Sequence, residues 1–412
     1  MHARVKQDVD SLIQAASAGD AEAQYQLGEH FRRRAAVDVD LEQAFAWYER
    51  AAKQDHIDAQ YRVGVMQLNG SGAHKNLESA INWLSQAAEQ NHSKAQTRLA
   101  WCFQTGTGIA EDIEAAITWY RAAAANGNAH AQFSLGDLYA RGVGLEKDPH
   151  SALFYHRDAA NQGHTRAELC MALAYSEGTV VNPDIGQAIE YAERAAAKGY
   201  LKAQYNLGLL YANSPEYFRD YQKALKWMKQ AAQAGLPEAQ YALARFYQRG
   251  IAEADQYEPL VWLRKAADQG HAKASYRMAM AHEQGGFFDR NIKTVNEWLL
   301  RSAEQGYLEA KYEFARRCVL TKVAGHDASE GIRWYREAAA ENHARAQYGL
   351  AVCLVNGKGG ERNLPEAFYW LTRAALNGSP KAQHRIGILE EYMSEEDLRA
   401  GRLMLLRDGI RE

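Results

Sequence analysis

Histidines recur along this chain at a spacing that would matter to metal chemistry if they converged. His56, His92, His164, His271 and His343 each stand three residues before an alanine of a regular series. A metal site needs several ligands within a few ångströms. Here successive histidines fall in successive units, separated by roughly 10 Å if helices pack side by side. They predict no shared ion, and a structural place at the turn into a helix fits them better. Glycine pairs raise a second possibility, phosphate cradling: Gly70/Gly72, Gly106/Gly108, Gly142/Gly144 and Gly357/Gly359/Gly360. A dinucleotide fingerprint needs a preceding strand and a P-loop needs Gly-Lys-Ser/Thr, and neither is present. These glycines repeat with the chain's period and read as turns. No HExxH, GxSxG or Cys-His arrangement occurs, and no acidic pair stands out. No catalytic residue, metal site or cofactor is predicted.

Recognition is the chemistry that remains. Tyr25, Tyr61, Phe133, Tyr205, Tyr241, Tyr276, Tyr312 and Tyr348 each follow an alanine of the same series by two residues. That is about 200° round the helix from the alanine. Tyrosine offers large area, a polar tip and few rotatable bonds. The competing reading, and the favoured one, is that each ring packs on the adjacent unit with only its hydroxyl exposed. Trp101 lies one turn beyond Thr97 on the same face, outside the register of the other tryptophans, and is a candidate exposed anchor. Lys94, His130, Arg166 and Lys202 immediately precede four successive alanines of the series and give that part of the face a positive lip. An acidic or C-terminal-carboxylate peptide would suit it. The candidate partner-binding residues are Trp101, Tyr61, Phe133, Tyr205, Tyr241, Lys94, Arg166 and Lys202.

Two series of residues define the elements that must position these groups. Trp47, Trp83, Trp119, Trp227, Trp262, Trp298, Trp334 and Trp370 share one register, with Tyr155 and Tyr191 filling its two gaps. The alanines are Ala23, Ala59, Ala95, Ala131, Ala167, Ala203, Ala239, Ala274, Ala310, Ala346 and Ala382; every step is 36 residues except one of 35. The tryptophan series shortens at the same place, between Trp227 and Trp262. A period of this length marks a solenoid in which each unit buries its aromatic against its neighbour. Within a unit, Ala23, Leu27 and Phe31 draw one helical face. An Asp or Asn then precedes a second helix: Asp40, Asn76, Asp112, Asp148, Asp184, Asp220, Asp255, Asn291, Asp327 and Asn363. Such a side chain can accept from unpaired N–H groups of the first turn, worth roughly 1 kcal/mol. The second helix carries Ala44, Trp47, Ala51 and Ala52, and commonly ends at a glycine such as Gly127 or Gly163, or at Asn91 or Asn342. Leu12, Ile13, Ala15 and Ala16 predict a lone helix before the first full unit. Leu398, Leu403, Met404 and Leu406 predict one that seals the last.

Composition narrows the function. With 48 basic and 51 acidic residues the net charge is -3, which gives no general drive towards nucleic acid or anionic membranes. No run approaches the 18 or so apolar residues of a membrane span, and the N-terminus lacks the apolar segment of a secretory signal. Cys102, Cys170, Cys318 and Cys353 fall in different repeats and form no CxxC, so reduced thiols and a cytoplasmic location are expected.

The repeat resembles the Sel1-like family, relatives of tetratricopeptide repeats. The resemblance rests on Ala-Gln-Tyr-x-Leu-Gly at Ala203 to Gly208, a Gly-x-Gly loop at Gly142 and Gly144, and Ala-x-x-Trp-x-x-x-Ala-Ala at Ala116 to Ala124. It covers nearly the whole chain. The loop at Ser214-Pro215-Glu216 and the one at Gly325 depart from it. The resemblance implies an all-α, right-handed α-α superhelix whose first helices line a concave groove. It also implies a non-enzymatic adaptor for a protein or peptide partner in a bacterial signalling, envelope, motility or secretion assembly. A cell-wall-component binder or hydrolase is the alternative. The expected organisation is a capping helix in residues 1–19, ten repeats in 20–379, and a partial eleventh repeat with a capping helix in 380–412.

Overall fold

The computed structural model describes residues 2–34, 38–251, 257–285, 290–321 and 323–410. These contain 23 helices and no strand beyond one isolated bridge between Val323 and His326. They form two compact units, Met1–Arg219 and Asp220–Glu412. The first holds α1 (His2–Ser17), α2 (Ala21–Arg34), α3 (Asp38–Ala52), α4 (Ile57–Asn69), α5 (Leu77–Glu89), α6 (Ser93–Thr105), α7 (Ile113–Ala125), α8 (Ala129–Arg141), α9 (Pro149–Asn161), α10 (Thr165–Glu177), α11 (Ile185–Ala197) and α12 (Leu201–Asn213). The second holds α13 (Tyr221–Gln233), α14 (Pro237–Gln248), α15 (Glu258–Asp268), α16 (Ala272–Gln284), α17 (Ile292–Glu304), α18 (Leu308–Leu320), α19 (Ala328–Ala340), α20 (Ala344–Asn356), α21 (Leu364–Leu376), α22 (Pro380–Glu390) and α23 (Glu395–Arg407). Within each unit consecutive helices pack as hairpins, and each hairpin packs on the next. The architecture is an all-helical solenoid of about 36-residue repeats, as the two residue series predict.

Helix limits follow from local chemistry. Asn76, Asp112, Asp148, Asp184, Asp220, Asn291, Asp327 and Asn363 cap second helices, each accepting from a first-turn N–H. Asp40 does not: it lies inside α3, which begins at Asp38. Asp255 lies outside the described residues. The second helices end where the chain enters the left-handed region, at Gly127 (φ 74°) or Asn91 (φ 63°), for example. The Gly-x-Gly loops do more than turn. Gly70 stops α4 in the left-handed conformation. Gly72 lets the loop close on the preceding repeat: a Cβ there would sit 2.4 Å from the Leu41 carbonyl. Two ends differ from expectation. Of the four apolar residues expected to face the first repeat from α1, Ala16 is buried and Leu12 half-buried, while Ile13 and Ala15 are exposed. In α23 the buried leucine is Leu405, and Leu403 and Leu406 point to solvent. That helix docks on α21, with Gly401 against Phe368 and Asp408 accepting from Arg373 at 2.9 Å.

The alanine series is the core. All eleven are buried, ten of them completely, and the small side chain lets helix backbones approach closely. The tryptophans are less deep than their prominence suggests. Trp334 and Trp370 are buried, but Trp47, Trp83, Trp119, Trp227, Trp262 and Trp298 are half-buried. Trp83 packs against a buried cluster that joins Ala44 and Tyr48 of the preceding repeat to Val63 of its own. A cation covers several of the rings, as Arg50 does Trp47 at 4.4 Å and Lys265 does Trp262 at 4.4 Å. The deepest side chain of the second helix comes one residue later: Tyr48, Leu84, Tyr120, Met228, Leu299 and Tyr335 are all buried.

A buried polar series runs alongside the alanines. Gln24, Gln96, Gln132, Gln204, Gln240 and Gln347 each donate to a carbonyl near the end of the preceding second helix. Most also accept from an amide thirty or so residues on, as Gln347 does from Asn377 at 2.9 Å. Where the residue changes, the chemistry is conserved by exchange. Glu168 replaces glutamine and is held by Arg194 and Lys198, while Arg194 takes over donation to the Ala160 carbonyl at 2.7 Å. Lys311 replaces it in another repeat and meets Glu341 and Glu337. Buried acceptors left unpaired cost about 1–3 kcal/mol each. Gln347→Leu is therefore expected to destabilise the second unit by about 1–3 kcal/mol, read as a lower urea midpoint. Gln26→Leu, at an exposed position of α2, should leave the midpoint nearly unchanged.

Candidate functional site

The recurrent histidines are helix caps. In His56, His92, His164, His271 and His343, Nδ1 accepts from the N–H of the series alanine three residues on. That bond requires an unprotonated Nδ1, so the proton sits on Nε2. The Nε2–H of three of them reaches a carboxylate on the preceding repeat: Glu22 at 3.0 Å, Asp58 at 3.1 Å and Glu309 at 3.0 Å. His164 instead meets His130 Nδ1 at 3.1 Å. The imidazole faces carry the tyrosine row. Tyr25 stacks on His56 (4.6 Å), Phe133 on His164 (4.6 Å) and Tyr241 on His271 (4.7 Å), and Tyr61 and Tyr312 lie tilted against His92 (4.8 Å) and His343 (5.3 Å). Among the described residues no group of His, Cys, Asp and Glu could hold a metal ion.

This stacking sorts the candidate residues. Phe133 is 9% exposed, held between His164 and His156 with the Arg166 guanidinium 4.7 Å above it. It is a packing residue that offers a partner little area, and its replacement by alanine would act on stability. Tyr61 and Tyr205 in the first unit and Tyr241 in the second are half-buried. Trp101, in contrast, is 38% exposed on α6, with Arg98 over its ring at 5.5 Å. It lies in a depression of about 720 Å³ that also takes in Tyr61 on α4 and His130 and Ser134 on α8. Lys94 and Arg98 line it, and no Asp or Glu does. Arg62 also lines it and is engaged by Glu29 at 2.9 Å. Arg166 and Lys202 stand further along the same register on α10 and α12, both exposed. Arg98 is the residue the sequence reading missed: it follows a series alanine by three residues, one turn before Trp101.

Within the second unit the corresponding face neutralises itself. Arg345 pairs with Glu309 at 2.6 Å and with Glu313 at 3.5 Å, and Arg316 pairs with Glu313 at 2.9 Å. Burial pushes the thiols of Cys102, Cys170, Cys318 and Cys353 up to about 11, so they are held as thiols and not as nucleophilic thiolates.

The comparisons with known proteins agree with this geometry. A family model described as Sel1 repeat matches residues 21–56, 57–92, 93–128, 129–164, 167–200, 201–236, 237–271, 272–307, 323–343 and 344–379. Among solved structures, the chain is similar to a protective antigen with an SLR fold present in uropathogenic Escherichia coli strains. That similarity has 26% identity and a TM-score of 0.68, over 96% of this chain and 92% of that one. It is also similar to a Sel1 repeat protein from Oxalobacter formigenes, at 30% identity and a TM-score of 0.60 over 79% of this chain and 93% of that one. No curated protein matches.

The histidine pair gives a pH dependence with a definite sign. Burial, and then the charges of His130 and Arg166, push His164 down from 6.5 to about 4. The unfolded chain binds that proton near 6.5, so the stabilisation is full above this value and is lost as pH falls from 6.5 towards 4. His164 should titrate by NMR with a midpoint near 4. His130→Asp, which supplies the carboxylate found at the other junctions, should raise that midpoint. An unchanged midpoint would remove His130 from the account.

Proposed function

The chain belongs to the Sel1 repeat family, and from that premise we propose that it is a non-catalytic scaffold holding a protein or peptide partner across the first helices of residues 1–219. Repeat scaffolds of this class typically serve protein interaction, because stacked hairpins present a long surface without a closed cleft. The observation that carries the reading is the half-open face of α4, α6 and α8, where Trp101 is exposed beside Lys94 and Arg98 in a depression that no Asp or Glu lines. An exposed tryptophan flanked by cations is the composition of an interaction anchor.

The non-catalytic part of the reading is supported by how the reactive side chains are used. The histidines that repeat are committed to caps, and the cysteines are buried or half-buried. A cytoplasmic setting in a bacterial signalling, envelope, motility or secretion assembly belongs to the same proposal, and the free cysteines favour it. No helix among the described residues is long and apolar enough to cross a membrane.

A photo-crosslinking amino acid placed at Thr97, beside Trp101, should capture a protein partner in the source cell. The same group at Asn82, exposed on the second helix α5, should not. Trp101→Ala should reduce the captured partner by about tenfold, the loss expected of an interface anchor, with unchanged helix content by circular dichroism. Equal capture at both positions, or none, would reject the proposed face.

A further inference from the structure

We propose that α6 to α12 seat an extended segment of the partner that is acidic at one end and aliphatic at the other. Its acidic end lies at Lys94 and Arg98 and its aliphatic end at Leu173 and Leu209. This rests on the scaffold reading above and gives that site its ligand chemistry.

Charge decides the first end. Lys94 and Arg98 have aromatic neighbours in Tyr61 and Trp101 and no acidic one in the depression they share. Further along, Arg166 and Lys202 extend the positive character. The carboxylates on the first helices α6, α8, α10 and α12 do not cancel it. Asp137 is engaged by Arg141 at 3.4 Å, Glu168 is buried between Arg194 and Lys198, and Glu177 stands in the last turn of α10. A partner carrying carboxylates would supply the missing charge, and the aromatic floor would lower the local dielectric and strengthen the pairing.

Register decides the second end. Trp101, Leu173 and Leu209 occupy one position of the repeat, each six residues beyond a series alanine. They therefore face the same way on α6, α10 and α12. Leu173 is 37% exposed. With Leu209, Leu210 and Pro215 it lines a second depression of about 320 Å³ between α10 and α12. Neighbouring repeats are spaced by roughly 10 Å, so the two ends lie about 20–30 Å apart. An extended chain advances about 3.3 Å per residue. The seated segment thus separates its acidic residues from its aliphatic ones by about six to nine positions, given that rise.

The test is selection of a random peptide display library, about 16 residues long so that it can span the face, on the full chain. Counter-selection uses a folded Lys94→Glu/Arg98→Glu variant. Enriched peptides are expected to carry an acidic run followed or preceded at about six to nine residues by Leu, Ile or Val. A fluorescein-labelled enriched peptide should lose at least about tenfold in affinity, by anisotropy, on the charge-reversed variant and on Leu173→Asp, and should bind more weakly as salt rises. Enrichment of peptides without acidic residues would overturn the proposal, as would affinity unchanged in both variants or displacement by an anionic polymer lacking apolar groups. The crosslinking at Thr97 separates the two readings. If it captures a partner whose contacting segment lacks this pattern, the ligand chemistry falls and the scaffold stands. If it captures none, both fall.

Discussion

The structure depends on satisfying helix ends that stacking removes from water. A solenoid of short hairpins buries a helix terminus at almost every junction, and each terminus exposes N–H or C=O groups that the helix cannot pair internally. An unpaired buried group costs enough that a chain with more than twenty helices could not leave them open. The solution repeats with the fold. A histidine Nδ1 takes an N–H at the start of five first helices, and a glutamine Nε2 meets a carbonyl at the end of the second helix before it. Both side chains also reach a partner in the neighbouring repeat, so capping and inter-repeat adhesion are one interaction.

This explains why the most chemically suggestive residues are not available for chemistry. A capping imidazole must keep Nδ1 unprotonated, and its face is covered by a tyrosine or phenylalanine. The exchange of Gln for Glu168, with Arg194 and Lys198 responding, shows that the junction tolerates charge as long as the accounting of donors and acceptors closes. What remains for recognition is whatever the junctions do not consume. In the first unit that residue is cationic and aromatic, at Lys94, Arg98 and Trp101. In the second, Glu309, Glu313, Arg316 and Arg345 satisfy one another.

Much of this was legible from spacing. Alanines recurring at 36 residues located the buried helix face, and Asp or Asn before each apolar run located eight second-helix starts. Trp101 stood out because it broke register. The depth of the tryptophans was harder to read, since an aromatic that lies under an arginine is as recurrent as one in the core; the buried position proved to be the residue that follows. Phe133 looked equivalent to Tyr61, yet His156 beneath it and His164 beside it enclose its ring. The polar series beside the alanines was present in the sequence as Gln24, Gln96, Gln132 and their equivalents, but glutamine reads as a surface residue until its two partners are known.

Sequence alone determined the helical hairpin, its period and the side of each helix that is buried, because those follow from local periodicity and from turn and capping preferences. Tertiary structure decided which polar groups pair across repeats and which cations are left without a carboxylate. Those outcomes depend on contacts between residues about thirty positions apart, as in Gln347 with Asn377, and no local pattern records whether such a partner is in reach.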